Sequence, residues 1–370
     1  MNYFIDLLQV SLGSLDTLSG KPSEIEWKSI FTEAQRQALV GILVCGLEKL
    51  PADQRPPQPI LLQWIGLAQM IESRNAKLNH ACSELCEKWH NDGFEVCVLK
   101  GQANHVYYPP DMANRRNSGD IDIWTVPISH TNKPVKQTLE YMQANYKKNG
   151  LCWLHASLYY AEDIPVEVHF HPSFMNEPVR NRRFQAYFQD IKRCICDKNV
   201  DGVTIPALKV DYDIVFQMNH IYRHLVDEGV GLRQIVDYYW LLLSWNREHE
   251  RSKEDVMGSV NYLGMRRFAG ALMYVLKEVC GVNNELLLCP PSKKDGAFLL
   301  NEIMVAGNFG HSDPRMGDVA QGNYMTSRVS QAWRRFKRNM RFFSSYPAEV
   351  FFEPYARIWH FAWKRLGMWK

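Results

Sequence analysis

FEVCVLKGQANHVYYP (94–109), RRNSGDIDIW (115–124) and PVEVHFHP (165–172) carry three carboxylates, Asp120, Asp122 and Glu167, each inside a short run of strand-forming residues. Ile121, Ile123, Val166 and Val168 alternate with them. Side chains at i and i+2 of a strand share a face, with Cα atoms roughly 6.5–7 Å apart. Asp120 and Asp122 therefore project together while their isoleucine neighbours enter a core. Two negative charges side by side on a half-buried strand cost stability unless a cation or strong donors neutralise them. A hard, oxygen-seeking ion such as Mg²⁺ is the expected partner, with Mn²⁺ as its substitute, and such an ion points to phosphate chemistry.

Around these segments the pattern is regular. Phe94 to Leu99 reads as a strand, and Gly101 opens a short helix toward Tyr108 that Pro109-Pro110 stops. A polar loop through Arg115, Arg116, Asn117 and Ser118 leads into a second strand, Asp120 to Val126. Lys133 to Lys148 reads as a helix closed by Asn149-Gly150. Leu151 to Ala161 and Ile164 to His171 read as a hairpin turning at Glu162-Asp163. The expected fold class is α+β, a small mixed β-sheet core over 93–203 between an N-terminal helical region, 1–92, and a C-terminal helical domain, 204–370.

Upstream, Trp64, Ala68, Ile71, Asn75, Leu78, Cys82, Leu85 and Trp89 recur at spacings of four and three, one buried helical stripe ended by Asn91-Asp92-Gly93. Downstream, Ile214, Met218, Ile221 and Leu225 form another stripe, Gly229 and Gly231 break it, and Leu232 to Trp245 continues as helix. Further helices are expected around Tyr262–Cys280 and Asp295–Val305, then a Gly/Asp/Asn-rich loop over 307–323. Near the end, Trp333, Phe336, Met340 and Phe343 make an apolar stripe read as buried, with Arg334, Arg335, Lys337, Arg338 and Arg341 on a solvated face.

Composition sets the boundaries. The 370 residues, 46% apolar and 22% charged, are those of an ordinary globular chain long enough for two or three domains. A net charge of +3 does not favour nucleic acid, although residues 328–370 hold ten Lys or Arg against Glu349 and Glu353 only. Nine cysteines lie scattered without paired zinc or disulfide spacing and read as reduced thiols. The N-terminus has no basic residue before its apolar stretch, and no apolar run reaches transmembrane length. A cytoplasmic protein without membrane insertion is expected.

Three acids converging from neighbouring strands suit a pair of divalent ions about 3.5–4 Å apart that clamp a triphosphate and activate a hydroxyl. Glu167 is also placed to help take the proton from the attacking oxygen. Lys100-Gly101 at a strand-to-helix junction suits phosphate: glycine admits close backbone approach, helix N–H groups point outward, and lysine adds charge. Arg116 precedes Asp120 and offers a bidentate contact. His169 and His171 share the parity of Glu167 and are read as hydrogen-bonded groups behind the site, with direct transition-metal ligation as the rival reading. Arg233 and Asp237 stand at i, i+4, the spacing of a helix-face ion pair, and His220 lies one helix earlier.

LKGQANHVYYP, RNSGDIDIW and VEVHFH, followed by GVGLRQIVDY, resemble a branch of poorly characterised bacterial nucleotidyltransferases within the DNA polymerase β-like superfamily, over roughly residues 60–245. The resemblance implies Asp120, Asp122 and Glu167 as metal-binding catalytic carboxylates. The resemblance also favours a cleft-lining role for Arg233, so the residues expected to hold the nucleotide are Lys100, Gly101, Gln102, Arg116, Gly119 and Arg233, with His169, His171, His220 and Asp237 behind them. Gly101-Gln102 stands where the superfamily has Gly-Ser or Gly-Gly, and the longer interval to Asp120 predicts that loop 109–119 folds over the site. The expected reaction moves a nucleoside monophosphate from an NTP, ATP among them, to an unidentified acceptor. The rivals are a glycosyltransferase using Asp120-x-Asp122 on a sugar nucleotide, and a nucleotide-binding protein without turnover.

Overall fold

The strands order themselves around the acidic pair. In the computed structural model, which describes residues 2–129, 131–161, 163–310, 313–316 and 324–369, β1 (Phe94–Val98) pairs antiparallel with β2 (Ile121–Pro127). β2 runs parallel to β5 (Ile164–His169), and β4 (His155–Tyr160) and β3 (Lys148–Leu151) extend that side antiparallel. On the other side β7 (Val203–Leu208) meets β1 in parallel and β6 (Ile195–Val200) closes the edge. Among the described residues the sheet order is β3-β4-β5-β2-β1-β7-β6. The mixed α+β core stands as the sequence implied.

The helices, in chain order, begin with α1 (Tyr3–Leu12), α2 (Glu24–Arg36), α3 (Val40–Lys49) and the long α4 (Gln58–Asn91). Within the sheet region lie α5 (Pro110–Ala113), α6 (Pro134–Asn145), α7 (Pro178–Tyr187) and α8 (Ile191–Cys194). Then follow α9 (Val210–Asp227), α10 (Leu232–Glu248), α11 (Lys253–Tyr262), α12 (Arg266–Cys280), α13 (Lys293–Ala306), α14 (Tyr324–Phe342) and α15 (Pro347–Leu366).

The two-residue period divides the sheet into two faces. Val96, Val98, Ile121, Ile123, Val166 and Val168 pack on the Leu78, Leu85 and Trp89 stripe of α4 and on Leu139 and Met142 of α6. Cys97 and Trp124 point the other way, into the core shared with α9 and α10. Each fully buried Leu or Ile contributes roughly 1.5–3 kcal/mol, so a one-residue register slip, which would swap both faces, is strongly disfavoured. The same parity places Asp122 and Glu167 on the α9 side, because Asp122 pairs with Glu167 across β2 and β5.

Three segments differ from the sequence reading. α6 stops at Asn145, because residues 148–151 are taken into β3 by pairing with β4. Residues 195–208, to which the sequence reading assigned no element, form the β6–β7 hairpin, turning at Asp201 (φ 52°) and Gly202 (φ 84°), which satisfy a turn with two left-handed residues. The apolar stripe of α14 faces outward: Trp333, Phe336, Met340 and Phe343 are exposed, while Arg338 is buried with its guanidinium on the carbonyls of Val226 and Asp227. Those carbonyls end α9 and lack intrahelical partners, so a cation there satisfies orphan acceptors and the helix dipole together. Glu162, expected in the hairpin turn, and residues 311, 312 and 317–323 of the expected 307–323 loop lie outside the described residues. The nine cysteines are all unpaired.

Candidate active site

Asp122, the second residue of β2, is 1% exposed in the wall of a cavity of about 610 Å³ between the sheet and helices α9 and α10. Asp120 comes from the loop just ahead of β2, and Glu167 arrives on β5. One carboxylate oxygen from each of Asp120, Asp122 and Glu167 falls within 4.8 Å of the others. Lys100 Nζ lies 3.1 Å from Asp122 Oδ1, and His169 Nε2 lies 3.0 Å from the same oxygen and 3.5 Å from Glu167 Oε2.

The charges are set by these neighbours. The negative charge of Asp122, then burial, pushes Asp120 up to about 6. Burial opposes the charge of Asp122 itself, yet Lys100 and His169 outweigh it and hold that carboxyl far below the usual range. Lys100 is the mirror image: burial disfavours its charge, but Asp122, Asp120 and Glu167 raise it. Burial likewise disfavours charge on His169, and the two carboxylates it touches raise it. Lys100 and His169 therefore offset charge at Asp122 and Glu167, the role sequence reasoning gave to a cation or strong donors.

Gly101 shows why the corner after β1 is glycine. Its φ is +60°, and a Cβ would stand 3.4 Å from the Asp120 carbonyl oxygen. Its neighbour Gln102 is fully buried, and neither amide atom has a hydrogen-bond partner. Gln102 does not line the cavity, whereas Lys100, Gly101, Gly119, Arg116 and Arg233 do.

Loop 109–119 is stapled from both sides. Arg115 reaches Glu48 and Glu72, each at 2.7 Å. From α4, Asn75 Nδ2 donates to the carbonyls of Asn114 and Arg116 at 2.7 Å, and Arg74 donates to Gly119 O at 3.0 Å. From α10, Arg233 Nη1 donates to Asn117 O at 2.6 Å. Arg116 turns back under the loop to form a two-pronged pair with Asp237 at 2.6 and 2.7 Å, and its third nitrogen donates to Ser118 Oγ. Asp237 thus pairs with Arg116 across the cavity floor, while the i, i+4 spacing had suggested Arg233. Burial disfavours the charge of Asp237, but Arg116 outweighs it and keeps the carboxyl low.

The histidines separate. His169 is in the cluster and His220 lines the opposite wall, held neutral because burial drives its ring well below the usual value. His171 lies past the end of β5, where strand parity lapses, and stacks on Trp153 at 4.4 Å outside the cavity lining. Sequence reasoning missed His155, which lines the cavity and pairs with His169 across β4 and β5. Counting equal distances back from the hairpin turn would have found it. It also missed Asn104, Gln217, Arg223, His224 and Glu228, whose convergence depends on helix packing and leaves no local signal.

With the sheet, the acid trio and the lysine-glycine corner in place, the comparisons give the class: residues 23–281 match the family described as "Uncharacterised nucleotidyltransferase", and the chain belongs to that family. It is accordingly a transferase with a nucleotide as substrate. Among solved structures, an antigenic nucleotidyltransferase-like protein from Paracoccidioides brasiliensis is similar at 11% identity and a TM-score of 0.32, covering 59% of this chain and 95% of that one. No curated protein matches the chain. Among the described residues, no helix is long and apolar enough to cross a membrane.

Proposed function

We propose that the protein transfers a nucleoside monophosphate from an NTP to a hydroxyl-bearing or similar acceptor, with release of pyrophosphate, in the manner of DNA polymerase β-like enzymes. The observation that carries this reading is the convergence of Asp120, Asp122 and Glu167 beside Lys100-Gly101 in one cavity wall. The donor set fits a hard divalent cation: three carboxylate oxygens, mostly buried, with Lys100 and His169 beside Asp122 and His155 and His169 beside Glu167. Mg²⁺ bound by these acids would supply charge neutralisation to the triphosphate and to the transition state.

The chain's own residues do the rest. Gly101 leaves room for a phosphate against the backbone, and Lys100, released from Asp122, turns its charge to the leaving pyrophosphate. Glu167 accepts the proton of the attacking hydroxyl as the acceptor oxygen bonds to the α-phosphorus and the bridging oxygen departs with the β-phosphate. Arg116 and Arg233 fix the loop that delivers Asp120. His220 and Gln217, on the facing helix, also line the cavity, and on this reading they contact the base or the acceptor. Family membership favours nucleotidyl over glycosyl transfer from a sugar nucleotide.

The test is incubation with each α-labelled NTP and Mg²⁺, with and without an extract of cells as acceptor source. Pyrophosphate with a labelled adduct supports the reading. Transfer solely from sugar nucleotides, or binding without turnover under every condition, overturns it.

A further inference from the structure

We infer that the site holds a second kind of ion position, built by His155, Glu167 and His169, that takes a divalent transition ion in preference to Mg²⁺. Strand register brings the three together: His155 faces His169 across β4 and β5, and the ring centroids are 5.1 Å apart. His155 Nδ1 lies 3.2 Å from Glu167 Oε2, His169 Nε2 lies 3.5 Å from it, and one ligand atom from each of the three residues falls within 4.8 Å of the others.

His155 Nδ1 is buried and makes no hydrogen bond, although a carboxylate oxygen is this close. A ring nitrogen near an acid but out of line for N–H donation is placed for a lone pair and an oxygen to share one cation. His169 Nδ1 is also buried without a partner, so the hydrogen bonds of this ring do not exhaust its nitrogens.

Donor chemistry then selects the ion. Mg²⁺ takes oxygen and sheds water reluctantly, whereas imidazole with one carboxylate suits Mn²⁺, Fe²⁺, Co²⁺ or Zn²⁺. Glu167 belongs to both groups, so the two positions adjoin: one all-oxygen, from Asp120, Asp122 and Glu167, the other nitrogen-rich. Its place in catalysis rests on the function proposed above, but binding at the nitrogen-rich position requires neither nucleotide nor turnover. On binding, His169 exchanges its contact with Asp122 for the ion.

Chelator-treated full-length protein is titrated with Co²⁺ without nucleotide, followed by visible absorption and calorimetry, for the wild type, His155→Gln, His169→Gln and Asp120→Asn. The wild type is expected to bind Co²⁺ with a nitrogen-ligand spectrum that a roughly hundredfold excess of Mg²⁺ does not remove. His155→Gln and His169→Gln are each expected to weaken binding at least about tenfold and alter the spectrum, with Asp120→Asn leaving the spectrum in place. Because His169 is buried, urea midpoints check its folding, and the part-exposed His155 gives the cleaner variant.

Binding within about threefold of wild type in His155→Gln, ready displacement by Mg²⁺, or no Co²⁺ uptake would each overturn the inference. Magnesium-supported turnover is scored separately. Turnover without a Co²⁺ site overturns this inference alone, and a Co²⁺ site without turnover overturns the proposed reaction alone.

Discussion

Asp237→Asn removes one charge from the pair that holds the active-site loop down, and nearly nothing else. Both side chains are about 5% exposed, and the guanidinium of Arg116 meets the carboxylate at 2.6 and 2.7 Å. Tyr108 Oη donates to the same carboxylate at 2.7 Å, a bond an asparagine oxygen can still accept. What changes is that Arg116 stays buried without its counter-charge, with Arg233 nearby adding a second cation. Two unit charges 4 Å apart at an effective dielectric of 20 attract by about 4 kcal/mol. Breaking buried pairs on one side costs about 3–5 kcal/mol, which agrees. With a urea slope of roughly 3 kcal/mol per molar, the midpoint is expected to fall by about 1–1.5 M in a circular-dichroism titration. Arg116→Met combined with Asp237→Leu removes both charges and is expected to recover more than half of that loss. A single-variant shift below about 0.3 M, or a double variant as unstable as the two singles added, would refute a desolvated, coupled pair.

Asp122→Asn is expected to lower turnover at least about 100-fold while far-UV circular dichroism stays unchanged, since it removes metal charge from a site whose neighbours remain packed. Chelation is expected to abolish nucleotidyl transfer and Mg²⁺ to restore it; melting temperature should rise with added metal, because an ion that binds only the folded state stabilises it. Glu349 supplies a pH test of stability. Burial raises it from 4.5 to about 7, with Asn176 N–H donating to it at 2.7 Å. A raised acid favours the folded state while protonated, so this contribution is whole below about pH 4.5 and lost as pH rises through 7, about 3 kcal/mol in all. Glu349→Gln should flatten that slope in urea midpoints measured from pH 5 to 8.

How much was legible in the chain depends on how local the signal was. Ile121, Ile123, Val166 and Val168 alternate with acids, and a period of two is readable wherever one face is buried. Asp120 and Asp122 were therefore placed together from the sequence, with Glu167 converging on them from a neighbouring strand. The β6–β7 hairpin was missed although Asp201-Gly202 is a turn signature, because Pro206 breaks the strand pattern; in the structure β7 meets β1 at Val98 and Ala207, beyond that proline. Arg338 was read as solvated because its partners, the carbonyls of Val226 and Asp227, are more than a hundred residues away. Asp237 was matched to Arg233 by spacing, whereas chain folding brought Arg116 to it. His155 was legible in principle from hairpin register, while the wall supplied by α9 was not.

The most direct measurement is diffraction from crystals soaked with Mn²⁺ and a non-hydrolysable NTP, using the anomalous signal to place the ion. Manganese density joined to Asp120, Asp122 and Glu167, with the triphosphate against Lys100 and Gly101, is the result expected of this site. A nucleotide bound elsewhere, or bound here with no ion among the three acids, would contradict it.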